Sequence, residues 1–94
     1  MTKALWNNVV IAESDRCKMV EGNAYFPPDA LDMRYFRQSD RHTFCPWKGE
    51  ASYHDVDVDG VVSDGGAWYY PSPKAAAAEI AGYVAFWRGV KVVN

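Results

Sequence analysis

No stretch of this sequence approaches the roughly 18 consecutive apolar residues of a membrane-spanning helix. The opening residues, Met1 to Asn8, lack the apolar core of a secretion signal. No membrane role is expected, and the default location is the cytoplasm. Cysteine is scarce: Cys17 and Cys45 are the two in the chain. They form no Cys-x-x-Cys pair, which excludes a zinc ribbon or finger, and a reducing compartment disfavours a disulfide between them. Ten Lys and Arg stand against twelve Asp and Glu. The densest basic run, Arg34 to Arg41, is interrupted by Ser39 and Asp40. No basic stripe exists for a nucleic-acid backbone, so nucleic acid is not an expected partner. Also missing are a Walker or dinucleotide glycine loop, a G-x-S-x-G elbow and any internal repeat.

What the sequence has in excess is aromatic rings. Four Trp, six Tyr and four Phe make up 15% of 94 residues. A chain this short buries only about 60–65% of its unfolded surface, so large rings are an efficient way to build its core. The length allows one domain, residues 1–94.

The β-branched run Val9 to Ser14 reads as a strand, with Cys17 to Val20 as its returning hairpin partner after a turn at Asp15-Arg16. Glu21-Gly22-Asn23 is a second turn, and Ala24 to Phe26 a short strand stopped by Pro27-Pro28. Asp29 is placed to cap a short helix over 30–36. Arg41 to Phe44 and Ala51 to His54 read as hairpin arms. Asp55 to Val58 alternates with period two, and Asp59-Gly60 is a tight-turn pair leading into Val61-Val62. Ser63 to Gly66 reads as loop, and Ala67 to Tyr70 as strand. Ser72-Pro73 marks the start of a helix over about 73–81 that Gly82 stops. Tyr83 to Trp87 and Val90 to Val93 close the chain as strands. The fold class is therefore mainly β: a single small antiparallel sheet, barrel- or tent-like, with one short helix at 73–81 and a second near 30–36.

Two patterns carry chemistry. Asp55-Val-Asp-Val-Asp-Gly60 imitates the start of a calcium loop, but the twelfth place is Gly66, where a bidentate Glu is needed. A strand with Val56 and Val58 inward explains it fully. The second pattern is Cys45-Pro46-Trp47-Lys48-Gly49. Pro46 fixes φ, and Gly49 permits a positive φ or a close backbone approach. Cys45 and Lys48 would then be held in a set geometry, where an ammonium lowers a thiol pKa. The same residues also read as packing, with Lys48 laid along the Trp47 ring. His42, His54, Cys17 and Cys45 are too scattered for a metal site, and neither a metal nor a cofactor is expected.

The order of motifs resembles that of the small bacterial family catalogued as domain of unknown function 427. The carriers are Ala12-Glu13-Ser14, Glu21, Tyr25-Phe26-Pro27, Cys45-Pro46-Trp47-Lys48-Gly49-Glu50-Ala51-Ser52-Tyr53, Trp68-Tyr69-Tyr70-Pro71 and Val84-Ala85-Phe86. The resemblance spans nearly the whole chain and implies a small, mostly β domain with no established reaction. A nucleotidyltransferase label used for the family in some naming is set aside, because a strand bearing paired metal-binding carboxylates is not expected here.

On this basis Cys45, Lys48 and Glu13 are candidate catalytic residues, with Glu13 opposite Lys48. Ser14, Glu21, Tyr25, Trp47, Tyr53 and Trp68 are candidate ligand-binding residues, and Tyr69 is a further cleft wall. Phe86 and Trp87 are assigned to the core. Three functions compete: a domain binding an anionic or planar small molecule, a small enzyme using Cys45 or Lys48 with a glutamate, and a structural or dimerising protein. The oligomeric state is left open between monomer and homodimer.

Overall fold

The structure, a computed structural model, describes residues 1–94. The chain is mainly β, as expected, but its strands fall into three antiparallel sheets with no closed barrel. The first contains β1 (Thr2–Trp6), β2 (Val9–Ser14) and β9 (Lys91–Val93), in the order β2-β1-β9. The second is the hairpin of β3 (Lys18–Val20) and β4 (Asn23–Tyr25). The third contains β5 (Phe36–Cys45), β6 (Gly49–Val58), β7 (Val61–Tyr69) and β8 (Val84–Phe86) in chain order.

Several local expectations are corrected. Val9–Ser14 does not pair with Cys17–Val20. It pairs with Thr2–Trp6 through a turn at Asn7 and Asn8, whose φ values of 50° and 63° place both residues in the left-handed region. That is the backbone of a two-residue hairpin turn, which Asn tolerates well. Residues 63–66 are not loop; they continue β7 across a register shift against β6. The expected helix at 73–81 is a 3₁₀ segment over Ala75–Ile80, broken at Ala77, and Ser72 does not cap it. The eight residues between Pro73 and Gly82 are too few for helix propagation to repay nucleation, whatever the propensity of alanine. The expected helix at 30–36 is two single 3₁₀ turns, Pro28–Ala30 and Met33–Tyr35. Its capping side chain is Asp32, which accepts from the Arg34 amide, rather than Asp29.

The four-stranded sheet has a core on each face. Val56, Val58, Ala67, Val84 and Phe86 join Ile11, Ala4 and Phe26 in one cluster, against the β1–β2 sheet. Ala51, Tyr53 and Ala85 join Tyr25, Tyr70, Ala77 and Ile80 in another. Strand alternation decides which side each ring occupies. Tyr53, Trp68 and Ala85 are register partners across β6, β7 and β8 and so share the second face. Two isolated bridges, from Phe26 to Val84 and from Tyr70 to Ala81, tie the surrounding segments to that sheet. In the sheet that packs on the first of these faces β1 pairs with both β2 and β9, and the Thr2 hydroxyl meets the Asn94 side chain at 2.8 Å.

Candidate functional site

The β5–β6 connection carries the Cys-Pro-Trp-Lys-Gly motif. Gly49 has a φ of 110°, and a Cβ there would lie 3.5 Å from the backbone nitrogen of Lys74. Of the two expected uses of this glycine the positive φ holds, whereas the neighbouring backbone would leave ordinary contact room for a Cβ. Lys74 clasps the turn, its amide donating to the Lys48 carbonyl at 2.8 Å and its Nζ to the Pro46 carbonyl at 2.7 Å. The backbone of Lys48 is thereby held while its side chain turns inward.

That side chain is 8% exposed. Its ammonium donates a hydrogen bond to Glu21 Oε1, and lies 5.0 Å from the Trp47 ring centre and 5.6 Å from that of Tyr70. Burial pulls its pKa down, but the Glu21 hydrogen bond and the nearby Tyr25, Tyr70 and Glu21 oxygens outweigh it. The net direction is upward, so Lys48 is an ammonium at neutral pH and not a free amine nucleophile.

Lys48 lines an open surface pocket of about 200 Å³ together with Tyr53, Trp68, Tyr70 and Trp87. Trp68 stands edge-on to Trp87 at 5.7 Å, and Tyr53 is 6.3 Å from Trp87. Two hydroxyls in the surroundings are engaged: Tyr53 with Thr43 at 2.8 Å, and Tyr25 accepting from the Trp68 indole at 3.1 Å. Burial raises the pKa of Tyr70 against the opposing pull of Lys48, so it remains a phenol. The Arg41 guanidinium lies over the rings of Tyr53 and Trp87, at 5.3 and 5.9 Å from their centres. Such an open pocket, with a buried cation and π-faces, suits a small planar group bearing negative charge.

The family model described as "Domain of unknown function (DUF427)" matches residues 1–93. The chain belongs to the DUF427 family. No curated protein matches it. The match joins the motifs of this DUF427 chain into one inheritance, but it assigns none of them a reaction.

The structure brings together Lys48, Glu21, Tyr25, Trp47, Tyr53 and Trp68, although only Lys48, Tyr53 and Trp68 line the cavity. It does not bring Glu13 there. Glu13 lies on β2 in the other sheet and faces Lys3 at 3.6 Å; the glutamate at Lys48 is Glu21. Ser14 is also elsewhere, its hydroxyl accepting from the Arg16 amide at 2.9 Å to shape a turn. Cys45 is half-buried against the second core cluster and does not line the cavity. Tyr69 is on the opposite sheet face from Trp68, stacked 4.7 Å from His54. Two wall residues escaped the sequence reading. Tyr70 was legible in Trp68-Tyr69-Tyr70-Pro71, where every second ring shares an approximate direction. Trp87 was assigned to the core, yet it is 38% exposed, with its indole N–H donating to the Gly65 carbonyl at 2.6 Å.

The remaining candidates resolve into structural duties. Asp55 and Asp57 alternate with the buried Val56 and Val58 along β6, as the period-two pattern leads one to expect. Asp55 accepts from the Gly65 amide at 2.7 Å and Asp57 from the Gly60 amide at 3.0 Å, so the pair shapes the bulge and the turn of this hairpin. His42 contacts the Ser52 hydroxyl at 3.3 Å, and no group of three or more His, Cys, Asp or Glu side chains converges.

Proposed function

We propose that this DUF427 domain binds a small, planar, anionic molecule in the Lys48 cavity. The observation that carries the reading is a protonated lysine, its side chain nearly buried, at the wall of an open pocket otherwise made of aromatic rings. Folding a charge into such surroundings is costly unless something is gained by it. Arg41 at the neighbouring rings adds a second positive centre in a chain whose net charge is −2. The reading gives Lys48 the task of holding an anion, Tyr53, Trp68 and Trp87 that of stacking, and Cys45 only a packing role. It is set in a bacterial cytoplasm, where both cysteines stay reduced.

A thermal-shift screen of nucleotides, sugar phosphates, amino acids and aromatic acids tests it. A ligand is expected to raise the melting point with dose, and Lys48→Met is expected to abolish the rise while remaining folded. A full response in the folded Lys48→Met protein would refute the assignment of the site.

A further inference from the structure

The anion now resting on Lys48 belongs to the protein itself. Glu21 occupies the first central position of the two-residue β3–β4 turn, with φ at 54°, followed by Gly22 at 79°. That position favours Asn, Asp or Gly. A glutamate there is held in an unfavourable backbone region, and its long side chain crosses to Lys48. The pair is lopsided. The lysine side chain is 8% exposed and the glutamate side chain 54%. The carboxylate can swing into water without opening the core, whereas the ammonium cannot leave. An ammonium has three donors, and Glu21 is the one protein group that accepts from it.

A second group in the same cavity lacks a partner. Tyr70 is 6% exposed and lines the pocket, and its hydroxyl makes no hydrogen bond to the protein. The hydroxyls of Tyr25 and Tyr53 nearby are both taken. The Tyr70 hydroxyl is not fully buried, so it reaches solvent at the pocket and is free to donate to a ligand.

We propose that Lys48 and Tyr70 form a carboxylate subsite, that Glu21 is its internal occupant, and that the ligand is a planar carboxylate which displaces Glu21. This inference rests on the reading of the cavity as a ligand site and names the chemical class it takes. One carboxylate oxygen is received by the ammonium and the other by the phenol, while the planar body lies among Tyr53, Trp68 and Trp87. Glu21 then sets specificity: an anion too weakly held by both donors does not displace it.

The test is calorimetric titration of 2-naphthoate, 2-naphthamide and phenyl phosphate into the wild type, Glu21→Gln, Tyr70→Phe and Glu50→Gln, with folding checked by circular dichroism. Glutamine keeps an acceptor for Lys48 but removes the competing charge. Glu21→Gln is expected to tighten 2-naphthoate by about tenfold or more, because a close like charge is removed. Glu50→Gln makes the same charge change at an exposed site and is expected to alter affinity by less than about twofold. Tyr70→Phe is expected to weaken 2-naphthoate about fivefold and leave 2-naphthamide unchanged. If Glu21→Gln leaves 2-naphthoate binding unchanged or weaker, the displacement idea is overturned while the binding site survives. Equal tightening by Glu50→Gln overturns it too, since net charge then accounts for the effect. Tightening of phenyl phosphate alone overturns the carboxylate class. If no folded form binds either anion, the cavity reading itself fails. Should Glu21→Gln not fold, Glu21→Asp, whose shorter side chain withdraws the charge from Lys48, is expected to tighten 2-naphthoate in the same direction, and its failure to do so counts against the proposal equally.

Discussion

The two halves of the Glu21–Lys48 pair are worth very different amounts to the fold. In Glu21→Ala the ammonium keeps its place at 8% exposure and loses its acceptor. Breaking a fully buried ion pair from one side costs about 3–5 kcal/mol. Here the side vacated by Glu21 opens to water, and the faces of Trp47 and Tyr70 hold part of the charge, each cation–π contact being worth about 0.5–2 kcal/mol. The expected cost is therefore about 2 kcal/mol, below the value for a closed pair. In Lys48→Met the charge that remains is the carboxylate, which is 54% exposed and rehydrates, while methionine lies along the same rings. Its expected cost is within about 1 kcal/mol. Urea unfolding read by tryptophan fluorescence measures both. In a domain of this size the Glu21→Ala loss corresponds to a melting-point drop of about 10 °C. The sign of the pH dependence follows as well. The folded pKa of Lys48 lies above its unfolded value, so the stability linked to the lysine's ionisation is fully present below about pH 10.4 and disappears as pH rises through the folded value. If Lys48→Met proves as damaging as Glu21→Ala, the lysine is held by packing, and the argument from unequal burial is wrong.

Two further outcomes are expected. Burial lowers the pKa of His54, whose Nδ1 has no hydrogen-bond partner, so the folded state resists its protonation. The sign here is opposite to that of Lys48: His54 contributes nothing unfavourable above about pH 6.5 and destabilises the fold as pH falls below it, so His54→Gln should flatten the loss of urea midpoint between pH 7.5 and 5. An unchanged slope would show that His54 is not the group responsible. Gly66→Ala places a Cβ 2.8 Å from the Ser63 Cβ and into its hydroxyl, which donates to the Arg88 carbonyl. The expected loss is about 1–3 kcal/mol, and Ser63→Gly in the same chain should recover part of it; a purely additive double variant would locate the strain elsewhere.

What local pattern could reveal was mostly revealed. The Asp59-Gly60 turn, with φ at 53° and 81°, the alternation of Val56 and Val58, and the special backbone at Gly49 are all decided within a few residues. Thr2–Trp6 escaped notice as a strand because its identity comes from two partners, one of them at the far end of the chain. Ser63 to Gly66 has loop composition, yet the Asp55 carboxylate on the Gly65 amide and the missing Cβ at Gly66 let it continue as strand. At the site, the motif pointed to Lys48 but not to its partner. Choosing Glu21 over Glu13 requires the order of the sheets, which no spacing along the chain encodes. The exclusion of Tyr69 needed only strand parity, which was available: adjacent residues of one strand cannot wall the same cleft. Trp87 required the path of the chain beyond β8, where its indole turns back to Gly65.

The pairing of β1 with β9 also bears on how the molecule is made. Lys3 waits for Val93, and Leu5 for Lys91. Bacterial or eukaryotic ribosomes add about 5–20 residues per second, so β1 spends several seconds with one open edge before its second neighbour exists. Its own hairpin with β2 forms early and locally, but the three-stranded sheet waits for Lys91–Val93, some eighty residues later. Such a long-range closure slows folding and leaves a nascent strand edge open to unwanted pairing. This sheet becomes complete only once β9 has emerged to take its place beside β1.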